Sequence, residues 1–282
     1  MHKLSDSQKK QWHTDGYLHI EEALSPKQVA FFNTEMDRVR GLPGYEPDNN
    51  PALPIGHYAW LDHAKDLAPG GFMDRRDLLP YHQAFIDLID HEPIFDYIVD
   101  IMGPNILLSM TQAIARPPTD KFPGYTHTDG GESLRRIRVS ESSPPVAMKA
   151  MYLLTDVKEP NTGNLTVYPG SHMRQIPDAE DRVMTPNSPG AAQLTGKAGD
   201  VYLFSHALWH GPAMNQSDKT RNTLLYNYCQ LWVRSYDHES VPDVAQRASP
   251  RQRRLLGDLG YDFRPGAYFY VPKDQEAVSL GQ

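Results

Sequence analysis

Up to about residue 105, hydrophobic positions recur mostly at helical spacing, between segments that favour helix starts. Ser5 and Ser25 each begin a Ser-X-X-Gln capping box, and Pro26 occupies the first helical position of the second box. The predicted elements are a helix from Ser5, a strand at Tyr17–Ile20, a helix from Pro26 to about Arg40, and helical stretches at Tyr81–Ile89 and Pro93–Met102. Residues 1–105 are therefore predicted to form a helical N-terminal layer that includes a long lid loop.

From Asn105 onward the pattern changes to short apolar or alternating runs that end at turns rich in Gly and Pro. The predicted strands are Ile106–Ala115, Val146–Thr155, Asn164–Tyr168, Val201–Trp209 and Thr223–Val233. Several short strands of this kind predict a jelly roll over residues 106–235, that is, a cupin-like double-stranded β-helix. The expected fold class is mainly β with a helical N-terminal layer.

The chain of 282 residues is long enough to bury one full hydrophobic core. We therefore expect a single domain over residues 1–282, with 236–282 as a C-terminal extension. The loop predicted over 41–79 is rich in Pro, Gly and Asp, and Tyr58, Trp60 and Phe72 could anchor it as an ordered lid. The tail from Ser249 to Tyr270 could cover the same opening.

Composition and charge limit the kinds of partner. A net charge of −7 argues against nucleic acid or a membrane surface, and no apolar run reaches the ~20 residues that a membrane helix needs. Cys229 is the single cysteine, which excludes an intramolecular disulfide and is typical of a reducing compartment. The first residues have no apolar core of a signal peptide. We expect a cytoplasmic protein with a small-molecule partner, and the oligomeric state stays open.

His-Thr-Asp-Gly occurs twice, at His13 to Gly16 and at His127 to Gly130. The first copy closes a predicted helix, where side chains two residues apart diverge by about 200°. The second copy follows a strand and a loop, and in extended chain residues i and i+2 point the same way. His127 and Asp129 could therefore both reach one metal ion, whereas His13 and Asp15 could not.

A third ligand is expected near the end of the strand predicted over 201–209. His206 and His210 share strand parity, and His210 is favoured because it precedes Gly211-Pro212 at the strand end, with His206 as a core histidine. Two imidazoles and one carboxylate form the facial triad of non-haem Fe(II) oxygenases, which leaves three coordination positions open. Arg221, eleven residues beyond His210, could hold a carboxylate bidentately. This combination predicts 2-oxoglutarate as the co-substrate and O₂ as the oxidant.

A wider set of motifs carries a family resemblance over roughly residues 5–235. These are Asp15-Gly16-Tyr17-Leu18, Gly103-Pro104-Asn105, Arg116-Pro117-Pro118, His127-Thr128-Asp129, the run Gly163 to His172, Gly199-Asp200-Val201, His210-Gly211, Asn215 and Arg221. In this order and at these spacings they resemble the phytanoyl-CoA dioxygenase family of Fe(II)/2-oxoglutarate oxygenases. We interpret the Pro169-Gly170-Ser171-His172 segment as a structural turn, with His172 outside the ligand set.

The resemblance implies roles for single residues. His127, Asp129 and His210 match the iron ligands, and Arg221 matches the residue that holds the distal carboxylate of 2-oxoglutarate. Three further positions are implied to bind the co-substrate: Gln112, Tyr152 and, more loosely, Arg75, for which Arg76 is the competing candidate. Relatives often carry Ser two residues after the distal His, so Pro212 is a departure that removes a hydroxyl contact to the co-substrate.

The resemblance also implies the reaction. Relatives that halogenate have a small residue at the carboxylate position, so Asp129 favours hydroxylation of an unactivated C–H bond, with release of succinate and CO₂. A basic loop with Arg135, Arg136 and Arg138 could attract an anionic substrate, although a solvated loop explains it as well. Tyr125 and Trp209 flank the ligands and could line the substrate pocket.

Two other functions are compatible with parts of this pattern. One is a cupin-type metalloenzyme that does not use 2-oxoglutarate; such sites typically use three or more histidines, and the spacing of Arg221 argues against it. The other is a catalytically silent binding protein on the same fold, which the loss of a triad residue would favour; all three are present.

Overall fold

The structure is a computed structural model that describes residues 2–40, 71–119, 126–130, 137, 139–140, 143–174, 185–235 and 242–258. Its helices are α1 (Asp6–Asp15), α2 (Pro26–Arg40), α3 (Gln83–Asp87), α4 (Ile94–Met102), α5 (Pro242–Arg247) and α6 (Pro250–Leu255), with a 3₁₀ turn at Leu88–Asp90. Its strands are β1 (Tyr17–Ile20), β2 (Met73–Arg76), β3 (Ile106–Arg116), β4 (Ala147–Leu153), β5 (Leu165–Val167), β6 (Ala192–Gln193), β7 (Val201–Ser205), β8 (His210–Pro212) and β9 (Arg221–Gln230).

The helix starts follow from the capping residues. Ser5 and Gln8 form a reciprocal capping box, and Ser25 and Gln28 make the same exchange of hydrogen bonds before α2. Helix α1 ends at Gly16, whose φ of +82° is the left-handed conformation that glycine adopts at helix ends. The first His-Thr-Asp-Gly copy is therefore a helix end, as its position in the sequence predicts.

The strands form two antiparallel sheets. The large sheet has the order β1-β7-β4-β9-β3-β2, and the small sheet has the order β6-β5-β8. One face of the large sheet packs against helices α1 to α6 in a common apolar cluster that includes Phe85, Phe95, Tyr226 and Tyr228. The opposite face contributes Met151, Phe204 and Leu225 to a second apolar cluster shared with the small sheet. The functional side chains lie on this second face.

Several predicted boundaries change. Strand β2 lies inside the segment predicted as a loop, because its sequence Met-Asp-Arg-Arg has no apolar alternation to mark it. The strand predicted over 201–209 ends at Ser205 and gives way to β8, which belongs to the small sheet. Residues 41–70 of the predicted lid and 259–270 of the predicted tail lie outside the described residues, as do Tyr58 and Trp60. Among the described helices, none is long and apolar enough to cross a membrane.

Candidate metal centre

His127 and His210 are joined by their backbones. The amide of His127 donates to the carbonyl of His210 at 2.8 Å, and the amide of His210 donates back at 2.9 Å. This antiparallel bridge brings the loop between β3 and β4 onto β8 and places the two imidazole centroids 4.4 Å apart. The amide of Asp129 donates to the carbonyl of His206 at 2.9 Å, so the backbone that carries the Asp129 carboxylate is held in place as well.

Three side chains converge at this bridge: His127, Asp129 and His210. The Nε2 atoms of both histidines lie 3.8 Å from Oδ1 of Asp129, and one ligand atom from each of the three residues lies within 4.8 Å of the others. His210 Nδ1 lies 2.9 Å from the carbonyl oxygen of Leu208, so it carries the proton and leaves the Nε2 lone pair for a metal. Oδ2 of Asp129 is buried and has no hydrogen-bond partner among the described residues. This donor set fits a divalent iron ion with open positions.

Lys149 is the residue at this centre that the sequence interpretation missed. Its Nζ lies 2.5 Å from Oδ1 of Asp129, and the Lys149 side chain is only 10% exposed. Lysine is rarely buried without a charged partner. A lysine inside the otherwise apolar run 146–154 was therefore a signal in the sequence, although the sequence does not show which carboxylate it meets.

The protonation states suit metal binding. Burial alone would raise the pKa of the Asp129 carboxyl, but the charges of Lys149, His210 and His127 together hold that pKa well below its usual value. Burial, followed by the nearby charge of His127, lowers the pKa of His210 to about 3 despite the opposing effect of Asp129. An ionised carboxylate and a neutral imidazole are the forms in which these side chains bind metals.

Arg221 begins β9 and lies on the same face of the large sheet as the triad. Its Nη1 donates to Oγ1 of Thr223 at 2.5 Å, and the guanidinium is buried. Gly163 packs against it: a Cβ added to Gly163 would lie 3.1 Å from the Cβ of Arg221. The amide of Gly163 also donates to the carbonyl of Met214, four residues beyond His210. Arg221 therefore lies against the pair of strands β5 and β8, of which β8 carries the distal histidine.

Gln112 also lies on this face, next to acidic and basic neighbours. Its Nε2 donates to Oδ1 of Asp74 at 2.6 Å, and Nε of Arg76 lies 3.9 Å from the same oxygen. Gln112 pairs with Arg76 and with Leu225 in the strand register, and paired residues project from the same side of a sheet. The structure therefore brings Arg76 to the face of the triad.

Tyr152 and Arg75 lie on the opposite face of the sheet, so the structure does not bring them to the triad. Tyr152 packs in the helical cluster, with its ring 6.0 Å from that of Tyr226, because it has the opposite strand parity to Lys149 and Met151. Arg75 donates to the carbonyl of Val39 and to the hydroxyl of Tyr81, both on the helical side. These two placements depart from the co-substrate contacts that the resemblance implies.

The remaining candidates are placed as follows. His206 is buried, and its Nδ1 lies 3.0 Å from the carbonyl oxygen of Ala147, away from the ligand set. His172 is buried beneath Gly16, where an added Cβ would lie 2.5 Å from its Nδ1. Trp209, which directly precedes His210 in the sequence, is buried. Tyr125, Arg135, Arg136 and Arg138 lie outside the described residues.

Comparison with known proteins identifies the family. A family model described as phytanoyl-CoA dioxygenase (PhyH) matches residues 12–223. The chain belongs to the phytanoyl-CoA dioxygenase family. With the triad in place, it is an iron- and 2-oxoglutarate-dependent dioxygenase, as the sequence predicts.

The relatives of this dioxygenase are distant. An ectoine dioxygenase from Nocardia farcinica is 24% identical over 236 residues, covering 74% of this chain and 72% of the relative. Dioxygenase FUM3 from Gibberella moniliformis is 27% identical over 253 residues, covering 87% of this chain and 80% of the relative. The crystal structure of HygX from Streptomyces hygroscopicus, with nickel and 2-oxoglutarate bound, superposes with a TM-score of 0.64 at 18% identity over 83% of this chain and 90% of HygX. The jelly-roll prediction is confirmed.

Proposed function

We propose that this dioxygenase hydroxylates an unactivated C–H bond of a small metabolite or natural-product intermediate. The observation that supports this most is the convergence of His127, Asp129 and His210, with a carboxylate at position 129. Bound Fe(II) and 2-oxoglutarate would supply the oxidising chemistry: from each O₂, one oxygen atom would enter succinate as 2-oxoglutarate loses CO₂, and the other would be inserted into the C–H bond. The named relatives, an ectoine dioxygenase among them, support a small-molecule substrate.

The protein side of this reaction is binding and positioning. His127, Asp129 and His210 would hold the iron, and Arg221 would hold the distal carboxylate of 2-oxoglutarate through its guanidinium fork. Lys149 keeps the carboxylate of Asp129 ionised and aimed. The Phe204 ring packs edge-on against His210 at 4.9 Å and, with Met151 and Leu225, gives the centre an apolar wall that limits water access.

Gln112, Asp74 and Arg76 form the polar side of the same face. Paired polar groups in an otherwise apolar pocket orient a ligand and set its specificity. We propose that Gln112 contacts 2-oxoglutarate. Asp74 and Arg76 would contact a polar or charged group of the substrate. We also retain a single domain over residues 1–282 as part of the proposal.

The test is an anaerobic titration of Fe(II) and 2-oxoglutarate, followed by visible absorption. Chelation of the keto acid to Fe(II) gives a weak metal-to-ligand charge-transfer band in wild type, and Arg221→Ala should shift the titration to at least about tenfold higher concentration, because a charged hydrogen-bond partner is lost. Arg174→Ala is the control: this exposed arginine contacts the backbone carbonyls of Pro169 and Gly170. Bound iron without a band in wild type would contradict the proposal and favour a cupin-type enzyme that does not use 2-oxoglutarate.

A further inference from the structure

Arg116, the last residue of β3, lies beside Arg221 in the large sheet. The two residues are direct partners in the β3–β9 register, so both side chains project from the face that carries the metal centre. Both are buried, with 6% and 5% of their surface exposed. Two guanidinium groups side by side in the interior are costly, because arginine stays protonated and each charge loses its hydration.

Several N–H donors of this pair have no hydrogen-bond partner among the described residues. Nε and Nη1 of Arg116 and Nε of Arg221 are buried without a hydrogen-bond partner among the described residues. The ring of Phe72 lies 5.1 Å from the guanidinium carbon of Arg116, a cation–π contact that helps to hold this side chain in place. Buried charged donors without a partner need an explanation, and an anionic ligand that accepts from both guanidinium groups provides one.

The charges around Arg116 and Arg221 also favour an anionic ligand. Burial and the like charge of Arg116 hold the pKa of Arg221 well below its usual value. Burial lowers the pKa of Arg116 to about 10, and Asp74 is the acidic group that opposes this. Asp74 already accepts from Gln112 and lies near Arg76, so its charge is shared among several donors. One more carboxylate would balance the positive charge of the two guanidinium groups.

We propose that Arg116 and Arg221 together bind the distal carboxylate of 2-oxoglutarate, with Arg116 as the second guanidinium of the pocket. This inference rests on the proposed function, since it requires 2-oxoglutarate as the co-substrate. A carboxylate has two oxygens and about four acceptor positions, so it can take donors from two forks. Pro212, in the strand that carries His210, offers no side-chain donor, and Arg116 supplies the donors that a hydroxyl there would have contributed.

The experiment compares two keto acids that differ in the distal carboxylate. Binding of 2-oxoglutarate and of 2-oxobutyrate to the Mn(II)-loaded protein is measured by isothermal titration calorimetry for wild type and Arg116→Gln. We expect Arg116→Gln to weaken 2-oxoglutarate about 10- to 100-fold, as for loss of a charged hydrogen-bond donor, and to leave 2-oxobutyrate unchanged. Arg116→Lys keeps the charge but loses the fork, so it should weaken 2-oxoglutarate less.

Arg75→Gln is the matched control, because Arg75 is a buried arginine of the same sheet on the opposite face. It should leave both affinities unchanged. Circular dichroism and thermal unfolding check that each variant is folded; if Arg116→Gln fails to fold, Arg116→Lys carries the comparison, and its selective weakening of 2-oxoglutarate is the supporting result.

The other outcomes separate the two proposals. If wild type binds no 2-oxoglutarate, the proposed function itself is overturned. If wild type binds it and Arg221→Ala loses it while Arg116→Gln and Arg116→Lys do not, the function stands and the role of Arg116 is overturned. Equal weakening of both keto acids by Arg116→Gln also overturns that role, because the effect would then be independent of the distal carboxylate.

Discussion

Lys149 and Asp129 form an ion pair at the centre of the site, and its two side chains are 10% and 14% exposed. Removing one partner of a buried pair leaves the other charge uncompensated, which costs far more than the pair contributes to stability. Asp129 has two imidazoles as its other neighbours, and at least one of them, His210, is held neutral by burial. The lysine is therefore the main counter-charge of the carboxylate when no metal is bound.

We expect Lys149→Met to lower the free energy of unfolding of the metal-free protein by about 3 kcal/mol. A bound divalent ion replaces the missing positive charge, so saturating Mn(II) should stabilise the variant more than it stabilises wild type. Urea denaturation with and without Mn(II) measures both quantities.

Lys158→Met is the control for this prediction. Lys158 pairs with Asp156 at 3.1 Å, but the two side chains are 74% and 45% exposed, so its loss should cost below about 1 kcal/mol. Equal losses in the two variants, or a Mn(II) effect no larger in Lys149→Met than in wild type, would show that the ammonium does not act as the counter-charge of Asp129.

At the scale of the elements, the loop that enters β5 is shaped around Arg221. Gly163 has a φ of +80°, and a Cβ there would meet the Cβ, Cγ and Nε of Arg221 at 3.1 to 3.4 Å. Gly190 has a similar φ of +85° and nothing within 4 Å of an added Cβ. The two glycines therefore share the same backbone requirement and differ in what lies beside them.

Gly163→Ala and Gly190→Ala should each lose about 1–2 kcal/mol of stability from the left-handed backbone alone. Gly163→Ala should in addition weaken 2-oxoglutarate binding, because the new methyl group displaces the Arg221 side chain, while Gly190→Ala should bind it as wild type does. Thermal unfolding and calorimetric titration give the two readouts. Identical 2-oxoglutarate affinities in the two variants would mean that the contact with Gly163 does not position Arg221.

Elements with a strong local signal were predictable, and side-chain facing in the buried strands was not. Capping boxes located α1 and α2, and the prediction of extended chain at His127 to Asp129 separated the metal-binding His-Thr-Asp from the one at the end of α1. All seven residues of β4 are buried, so its sequence has no alternation that tells one face from the other. Tyr152 was therefore expected beside the co-substrate, although the structure gives that face to Lys149 and Met151.

The same limit explains the arginines. Arg75 and Arg76 are adjacent in β2, and only the pairing of Arg76 with Gln112 shows which of them faces the metal centre. The sequence indicates only that Arg116 ends a strand. Its neighbour in the sheet, Arg221, is more than a hundred residues away along the chain. Such partners depend on strand register across the sheet, which local sequence patterns do not specify.

At the scale of the whole molecule, the large sheet separates stability from chemistry. Its helical face is tied to the helices by buried hydroxyls: Tyr226 donates to the carbonyl of Phe85 at 2.7 Å, and Tyr228 to that of Ile89 at 2.8 Å. Tyr152 packs beside Tyr226, but its hydroxyl is buried without a hydrogen-bond partner among the described residues. The metal centre is on the other face of the same strands.

Tyr226→Phe should therefore lose about 1–2 kcal/mol of stability, because the buried carbonyl of Phe85 loses its donor. Tyr152→Phe removes a buried hydroxyl from the same cluster without breaking such a bond, so its stability should stay within about 0.5 kcal/mol of wild type or rise slightly. Since both tyrosines face the helices, both variants should bind Mn(II) and 2-oxoglutarate as wild type does. Urea denaturation and calorimetric titration measure these effects. Weaker 2-oxoglutarate binding in Tyr152→Phe alone would support the co-substrate role that the family resemblance implies for Tyr152. Because Tyr152 faces the helices, that role would have to act through the sheet.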